Sequence, residues 1–330
     1  MINPIQKLNP KLFDLNVERV PIRDGFGEGL VEAGEKNQQV VALCADLVES
    51  TRIEKFAKQF PERFVEIGVA EQNLVTVASG LAAMGKIPFT ASYACFSPGR
   101  NWEQIRTTIT YNDVPVKIVG AHAGISVGPD GGTHQMLEDL ALMRVLPNMV
   151  VVVPCDSVEA KKATLGIADN GKPSYIRLAR NKSAVVTTES SPFAIGKANV
   201  LIDPDYADVA VIACGQMVYY SLLAARQLEI EGIKVSVTNL HTIKPIDTET
   251  IHRVAANSGA VVTVEEHQVA GGLGSAVAEV LATTFPVPME FLGVQDKYGQ
   301  SGEPGELLEH YGLGVKDIVG AVKKVMGRKR

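Results

Sequence analysis

No stretch of the sequence approaches the roughly 20 uninterrupted apolar residues of a membrane-spanning helix. No membrane-spanning helix is expected, and membrane is absent from the expected partners. Met1 to Arg19 carries charges throughout and lacks the continuous apolar core of a secretory signal. Cysteine is sparse. Cys44, Cys95, Cys155 and Cys214 are far apart, sit in apolar segments and show no metal-ligand spacing. A disulfide framework and a zinc site are therefore not expected, and buried free thiols in a reducing cytoplasm are. An excess of one charge is also missing: 21% of residues are charged and the net charge is −5, so there is no footprint for nucleic acid or an anionic membrane. The basic groups Lys323-Lys324 and Arg328-Lys329-Arg330 read as a solvated helix end. There is no short-period repeat and no low-complexity segment. Gly271-Gly272-Leu273-Gly274 follows an apolar run, but its spacing is not that of a dinucleotide-binding turn.

What the sequence does have is 330 residues, 46% of them hydrophobic, enough for two domains with buried cores. Short Val- and Ile-rich runs alternate with amphipathic stretches. The runs are Val40–Cys44, Ile87–Thr90, Val116–Gly120, Met149–Val153, Tyr175–Leu178, Val209–Ala213, Val235–Val237, Ala260–Val264 and Met289–Leu292. Most lack alternation, as strands buried on both faces of a parallel sheet do. Glu71–Met84, Ser157–Asp169, Val218–Gln227 and Ala276–Ala282 read as helices between them. The expectation is α/β: two consecutive domains with mainly parallel sheets covered by helices. The polar stretch Asn181–Pro192 marks the boundary, dividing the chain into 1–190 and 191–330.

Three sets of residues carry chemistry. Glu71 follows Gly68-Val69-Ala70 where an apolar helix begins. It either complements a helix dipole or, held among apolar groups, has a raised pKa and can share a proton with a ring nitrogen. The segment HAGISVGPDGGTHQ, His122–Gln135, places two histidines and Asp130 on a glycine-rich loop after a buried run, where sites commonly lie. Arg23, Ser50 and Arg180 are dispersed. Arginine forks suit phosphate oxygens, and these three carry weight only as a set.

The motifs GVAEQN and DGGTHQ, in that order, resemble the transketolase family, and the likeness runs from about Arg19 to the segment GVQDKYGQSGEPGELLEHYGL. The resemblance implies a transferase of two-carbon ketol (glycolaldehyde) units between sugar phosphates, as in the pentose phosphate pathway, with thiamine diphosphate as cofactor. It makes Glu71 the partner of the aminopyrimidine ring, with Tyr93 and Phe96 packed on that ring. It gives Asp130 and His134 the ketose hydroxyls, His134 with a catalytic share, and His122 the far side of the substrate. Arg23, Ser50 and Arg180 then hold the sugar phosphate. Pro129 and Gly132 depart from the family's usual acid and proline. Asp296, Gly299 and Ser301 look structural. Glu265-Glu266-His267 reads as a turn after a strand, with helix capping.

The family's Gly-Asp-Gly motif for pyrophosphate and metal is absent. The residues ahead of Arg19 are too few for another domain. The resemblance thus implies an N-terminal partner subunit that carries the pyrophosphate and Mg2+ or Ca2+, with no metal held by this chain. It also implies self-association into a heterotetramer. Competing readings are the β subunit of a 2-oxo-acid dehydrogenase, a deoxyxylulose-phosphate synthase-like enzyme and a non-catalytic α/β regulatory or electron-transfer subunit.

Overall fold

The structure is a computed structural model that describes residues 2–329; Met1 and Arg330, the last of the basic tail, lie outside the described residues. In chain order the strands are β1 (Arg19–Pro21), β2 (Val40–Cys44), β3 (Phe64–Glu66), β4 (Ile87–Tyr93), β5 (Lys117–Ala121), β6 (Val150–Val152) and β7 (Ser174–Arg177). They continue as β8 (Lys182–Ala184), β9 (Asn199–Ile202), β10 (Val209–Ala213), β11 (Val235–Asn239), β12 (Thr242–Lys244), β13 (Val261–Gln268) and β14 (Met289–Val294). One seven-stranded sheet has the order β12-β6-β7-β5-β4-β2-β3, and a five-stranded sheet the order β14-β13-β10-β11-β9. Every pairing within these two sheets is parallel except β12 with β6 and β9 with β11, so the α/β expectation of mainly parallel sheets holds. The continuous apolar runs became the inner strands: β2, β5, β6, β7, β10 and β11 are buried along their whole length.

The helix Ile22–Lys36 was not expected, because Gly25, Gly27 and Gly29 depress helix propensity. Packing explains them. A Cβ at Gly25 would stand 1.7 Å from the Ser157 carbonyl oxygen, and one at Gly29 2.9 Å from that of Lys161. The glycines let this helix lie directly on the helix Ser157–Asp169. The latter starts where expected, with the Asp156 carboxylate accepting from the Glu159 N–H (2.7 Å).

The two sheets exchange segments. Asn3 bonds the Val200 and Leu201 carbonyls, and Leu12 and Val17 lie in the core of the five-stranded sheet. In return, β12 crosses to the edge of the seven-stranded sheet. Arg177 joins the two from the inside. Its Nε pairs with Asp139 (2.8 Å), and its Nη2 reaches the Glu266 carbonyl (2.8 Å). The basic tail is not free: Lys324 and Arg328 pair with Glu290, and Lys329 donates to the Asp208 carbonyl. Among the described residues no helix is long and apolar enough to cross a membrane.

Candidate active site

Each candidate residue lies at or beyond the carboxyl end of a parallel strand, or beside one that does. β2 leads into the loop holding Ser50; β3 ends shortly before Glu71; β4 ends on Tyr93; β5 ends beside His122; β7 ends shortly before Arg180. Loops at these ends are where open α/β sheets build sites. The register pairs Tyr93 with Ala121, which places the next residue's ring on Tyr93. The Tyr93 and His122 centroids are 3.9 Å apart at 26°. Phe96 stacks with Tyr93 at 6.2 Å, and His134 turns its edge to Phe96 at 5.4 Å. Arg23, in the first turn of its helix, contacts His122 Nε2 (2.9 Å) and donates to the Ser50 carbonyl (2.9 Å). Ser50 is thus tied into the site through its backbone. Arg180 donates to the Val127 carbonyl (2.9 Å), and Asp130 is exposed at the loop tip, outside the ring cluster.

Glu71 is the first residue of the helix Glu71–Ala83, whose start has no side-chain cap. Its side chain is 2% exposed and its Oε2 accepts from Arg100 Nη1 (2.7 Å). The apolar enclosure expected from the sequence therefore includes one cation. Arg100 also stands over the Phe96 ring, 5.0 Å from its centroid. The Asn101 amide donates to the Glu71 carbonyl (2.8 Å), leaving its buried Oδ1 without a partner among the described residues.

The tautomer of His122 follows from its neighbour. A guanidinium only donates, so Nε2 must accept from Arg23 and the proton sits on Nδ1. That buried Nδ1–H has no partner among the described residues. His122 also has a positive φ of 55°, a conformation non-glycine residues adopt at a cost and often at functional sites. Burial first, then the charges of Arg23, Arg180, Arg52 and His134, push its pKa down to about 3. Arg23 is itself lowered, by burial and then by Arg52.

The glycine-rich loop rests on the second sheet and the C-terminal segment. A Cβ at Gly131 would lie 2.5 Å from Ser301 Oγ, and one at Gly132 2.6 Å from the Gly299 carbonyl. These contacts support the structural roles expected for Gly299 and Ser301. Glu265, Glu266 and His267 lie within β13, not in a turn. The expected capping is present, because the Glu265 carboxylate accepts from the Leu273 and Gly274 N–H groups at a helix start.

Residues 18–184 match the family profile described as transketolase, pyrimidine binding domain, and residues 196–318 the one described as transketolase, C-terminal domain. The chain belongs to the transketolase family. It is 42% identical over 96% of its length to the 6-deoxy-6-sulfo-D-fructose transketolase subunit SqwH of Clostridium sp. (strain MSTE9), covering 98% of that protein. It is 36% identical over 91% of its length to an apulose-4-phosphate transketolase subunit of Phocaeicola vulgatus, covering 95% of it. A solved split-gene transketolase, an inactive β4 tetramer, superposes with a TM-score of 0.88 at 46% identity, covering 94% of this chain and 100% of the other.

Transketolase domains imply use of thiamine diphosphate. The residues present fit its pyrimidine: flat rings at Tyr93 and Phe96, a buried carboxylate at Glu71, and Asn101 Oδ1, buried without a partner among the described residues. Arg52, Arg100 and Asn101 were not singled out from the sequence. Arg100-Asn101 follows a Ser-Pro-Gly loop and carries no distinctive spacing; only the fold brings it to Glu71.

The neutral His122 has a measurable consequence. The unfolded transketolase chain takes up a proton at this imidazole as pH falls past about 6.5, and the folded chain does not until near its own depressed value. Its contribution to stability is therefore complete above about pH 6.5 and is lost as pH falls below it, by on the order of 1 kcal/mol per unit. Glu265, pushed up to about 7 by burial, acts in the opposite sense, so the difference between wild type and His122→Gln isolates the imidazole. Urea unfolding should show wild type losing ground to the variant between about pH 7 and about pH 5. A gap that stays constant contradicts a neutral His122.

Proposed function

We propose that this chain is the C-terminal subunit of a two-chain transketolase that moves a two-carbon ketol unit from a ketose phosphate to an aldose phosphate. The observation that carries the proposal is the Tyr93–Phe96–His122–His134 ring cluster set between the buried Glu71 carboxylate and Arg23. In this reading the pyrimidine-binding domain extends to about residue 190 and the C-terminal domain begins there. When bound, thiamine diphosphate supplies the carbanion stabilisation that lets a carbon–carbon bond beside a carbonyl break and re-form. Glu71 holds and shares a proton with the pyrimidine, and Tyr93 and Phe96 keep that ring in place and shield it from water. His122 lies on the far side of the substrate, and His134 and Asp130 hold its hydroxyls; His134 also moves a proton there. Arg23, Ser50 and Arg180 bind the terminal anion. Holding that remote group positions the reacting carbonyl. The names of two relatives contain a sulfo sugar and a sugar phosphate, and either anion suits guanidinium groups.

The partner, in this proposal, is an N-terminal subunit that holds the pyrophosphate and Mg2+ or Ca2+, and two copies of each chain form a heterotetramer. Free thiols, three of them buried, suit the reducing cytoplasm. The test is a coupled assay with thiamine diphosphate, magnesium, xylulose 5-phosphate and ribose 5-phosphate. We expect no turnover from this chain or its partner alone and turnover from the mixture, which should sediment as a heterotetramer. A mixture that binds but does not turn over moves the assignment to a 2-oxo-acid dehydrogenase β subunit; a one-to-one heterodimer removes the tetramer.

A further inference from the structure

We propose that Glu266, on the five-stranded sheet, is a positioning residue that sets the shape of the loop His122–Gln135 and through it the hold on the donor sugar. The inference rests on the sugar-binding role proposed for that loop. The loop has wide backbone freedom, since Gly124, Gly128 and Gly131 all have positive φ, which glycine adopts without cost. It is anchored from outside. One Glu266 oxygen accepts from the Ser126 N–H (2.5 Å), and the other accepts from the Gln216 amide (2.5 Å). The same Gln216 nitrogen reaches Ser126 Oγ (2.8 Å), which closes a three-residue ring of hydrogen bonds. All three side chains are buried. Gly124 is pressed against this carboxylate, where a Cβ would come within 2.4 Å of Oε1.

Glu266 is itself held rigid. Its carbonyl accepts from Arg177, whose Nε is paired with Asp139. At the far end of the loop, Gln135 donates to the Ile125 and Gln300 carbonyls (3.0 and 2.9 Å). The loop is therefore tied at Ser126, at Val127 through Arg180 and at Gln135, while Asp130 and His134 project between the last two ties. Among the described residues no hydrogen bond joins Glu266 to Asp130 or to the ring cluster, so its effect travels through the backbone of Ser126 and Gly124.

The donor–acceptor pattern gives a test that packing alone would not reproduce. Ser126 N–H and the Gln216 amide both donate, so Glu266 must accept twice. Glu266→Met keeps the length of the side chain but removes both acceptors and leaves the buried Ser126 N–H unsatisfied. Glu266→Gln restores the pattern: the new amide oxygen accepts from Ser126 N–H, and a flip of the Gln216 amide lets its oxygen accept from the new NH2 and from Ser126 Oγ–H. In the full chain, Glu266→Met should speed hydrogen exchange of the amides between Gly124 and Gln135 about tenfold, the size expected of one unsatisfied buried group. With the partner subunit it should raise KM for the donor ketose phosphate about tenfold, with a smaller fall in kcat. Glu266→Gln should stay near wild type in both.

A folded Glu266→Met variant with wild-type exchange or wild-type donor KM overturns the proposal, and so does a Glu266→Gln variant as impaired as Glu266→Met. If Glu266→Met does not fold, Gln216→Ala leaves the carboxylate but removes its side-chain donor. Faster exchange in the same segment then supports the clamp, and unchanged exchange overturns it. The exchange measurement needs neither partner nor cofactor. A mixture that lacks transketolase activity thus defeats the functional reading, while the clamp is still decided on this chain.

Discussion

Replacing Glu71 with glutamine should lower turnover of the assembled enzyme at least about a hundredfold, the lower end of what a positioned acid–base group contributes. The amide keeps the volume and one acceptor for Arg100, but it cannot share a proton with a ring nitrogen. Stability should barely move, and the reason lies in the partner. Removing one member of a buried ion pair is costly when it strands the other charge away from water. Glu71 is 2% exposed, but the Arg100 side chain is 51% exposed and can turn to solvent. The cost to folding should therefore be under about 1 kcal/mol, in the range of exposed ion pairs. Steady-state kinetics of the mixture and thermal unfolding of the chain measure the two effects separately. Near-normal turnover with saturating thiamine diphosphate removes Glu71 from the mechanism. Lost turnover with an equally large loss of stability would make it a packing residue.

Much of this architecture is legible in the sequence, for physical reasons that also explain what is not. Strands covered on both faces must be apolar throughout, so β2, β5 and β10 stand out as runs such as Val40–Cys44. The short edge strand β3 is partly exposed and needs no such run, and β12 is three residues long and belongs to a sheet far away in sequence. Ile22–Lys36 is hidden because the glycines that bring it onto its neighbour are the residues that weaken a helix signal. Glu71, Tyr93, Phe96, His122 and His134 could be singled out because they sit in compact local motifs. That Arg100 pairs with Glu71, that Ser50 engages through its carbonyl, and that β13 runs on through Glu265-Glu266-His267 depend on packing between segments distant in the chain.

Asp139 gives the opposite outcome to Glu71, although it too is a buried carboxylate paired with an arginine. Asp139 is fully buried and Arg177 only 6% exposed. The same carboxylate oxygen accepts from the Tyr175 hydroxyl (2.7 Å). Asp139→Ala strands a guanidinium that has no route to water and leaves a buried hydroxyl unsatisfied. It should cost about 3–5 kcal/mol, the range for breaking a buried pair by removing one partner. Replacing both charges, as Asp139→Leu/Arg177→Met, removes the stranded ion and should recover more than half of that loss, because the desolvation of two charges offsets most of their attraction. Full recovery is not expected: Arg177 also satisfies the Glu266 and Met136 carbonyls, and methionine cannot. Urea unfolding of the three chains decides the matter. A double variant no more stable than Asp139→Ala would mean that those carbonyl bonds, and not the ion pair, hold the two sheets together at this joint. A single variant within about 1 kcal/mol of wild type would mean that the joint opens and lets Arg177 reach water, so that the two sheets are less firmly docked than the buried pair implies.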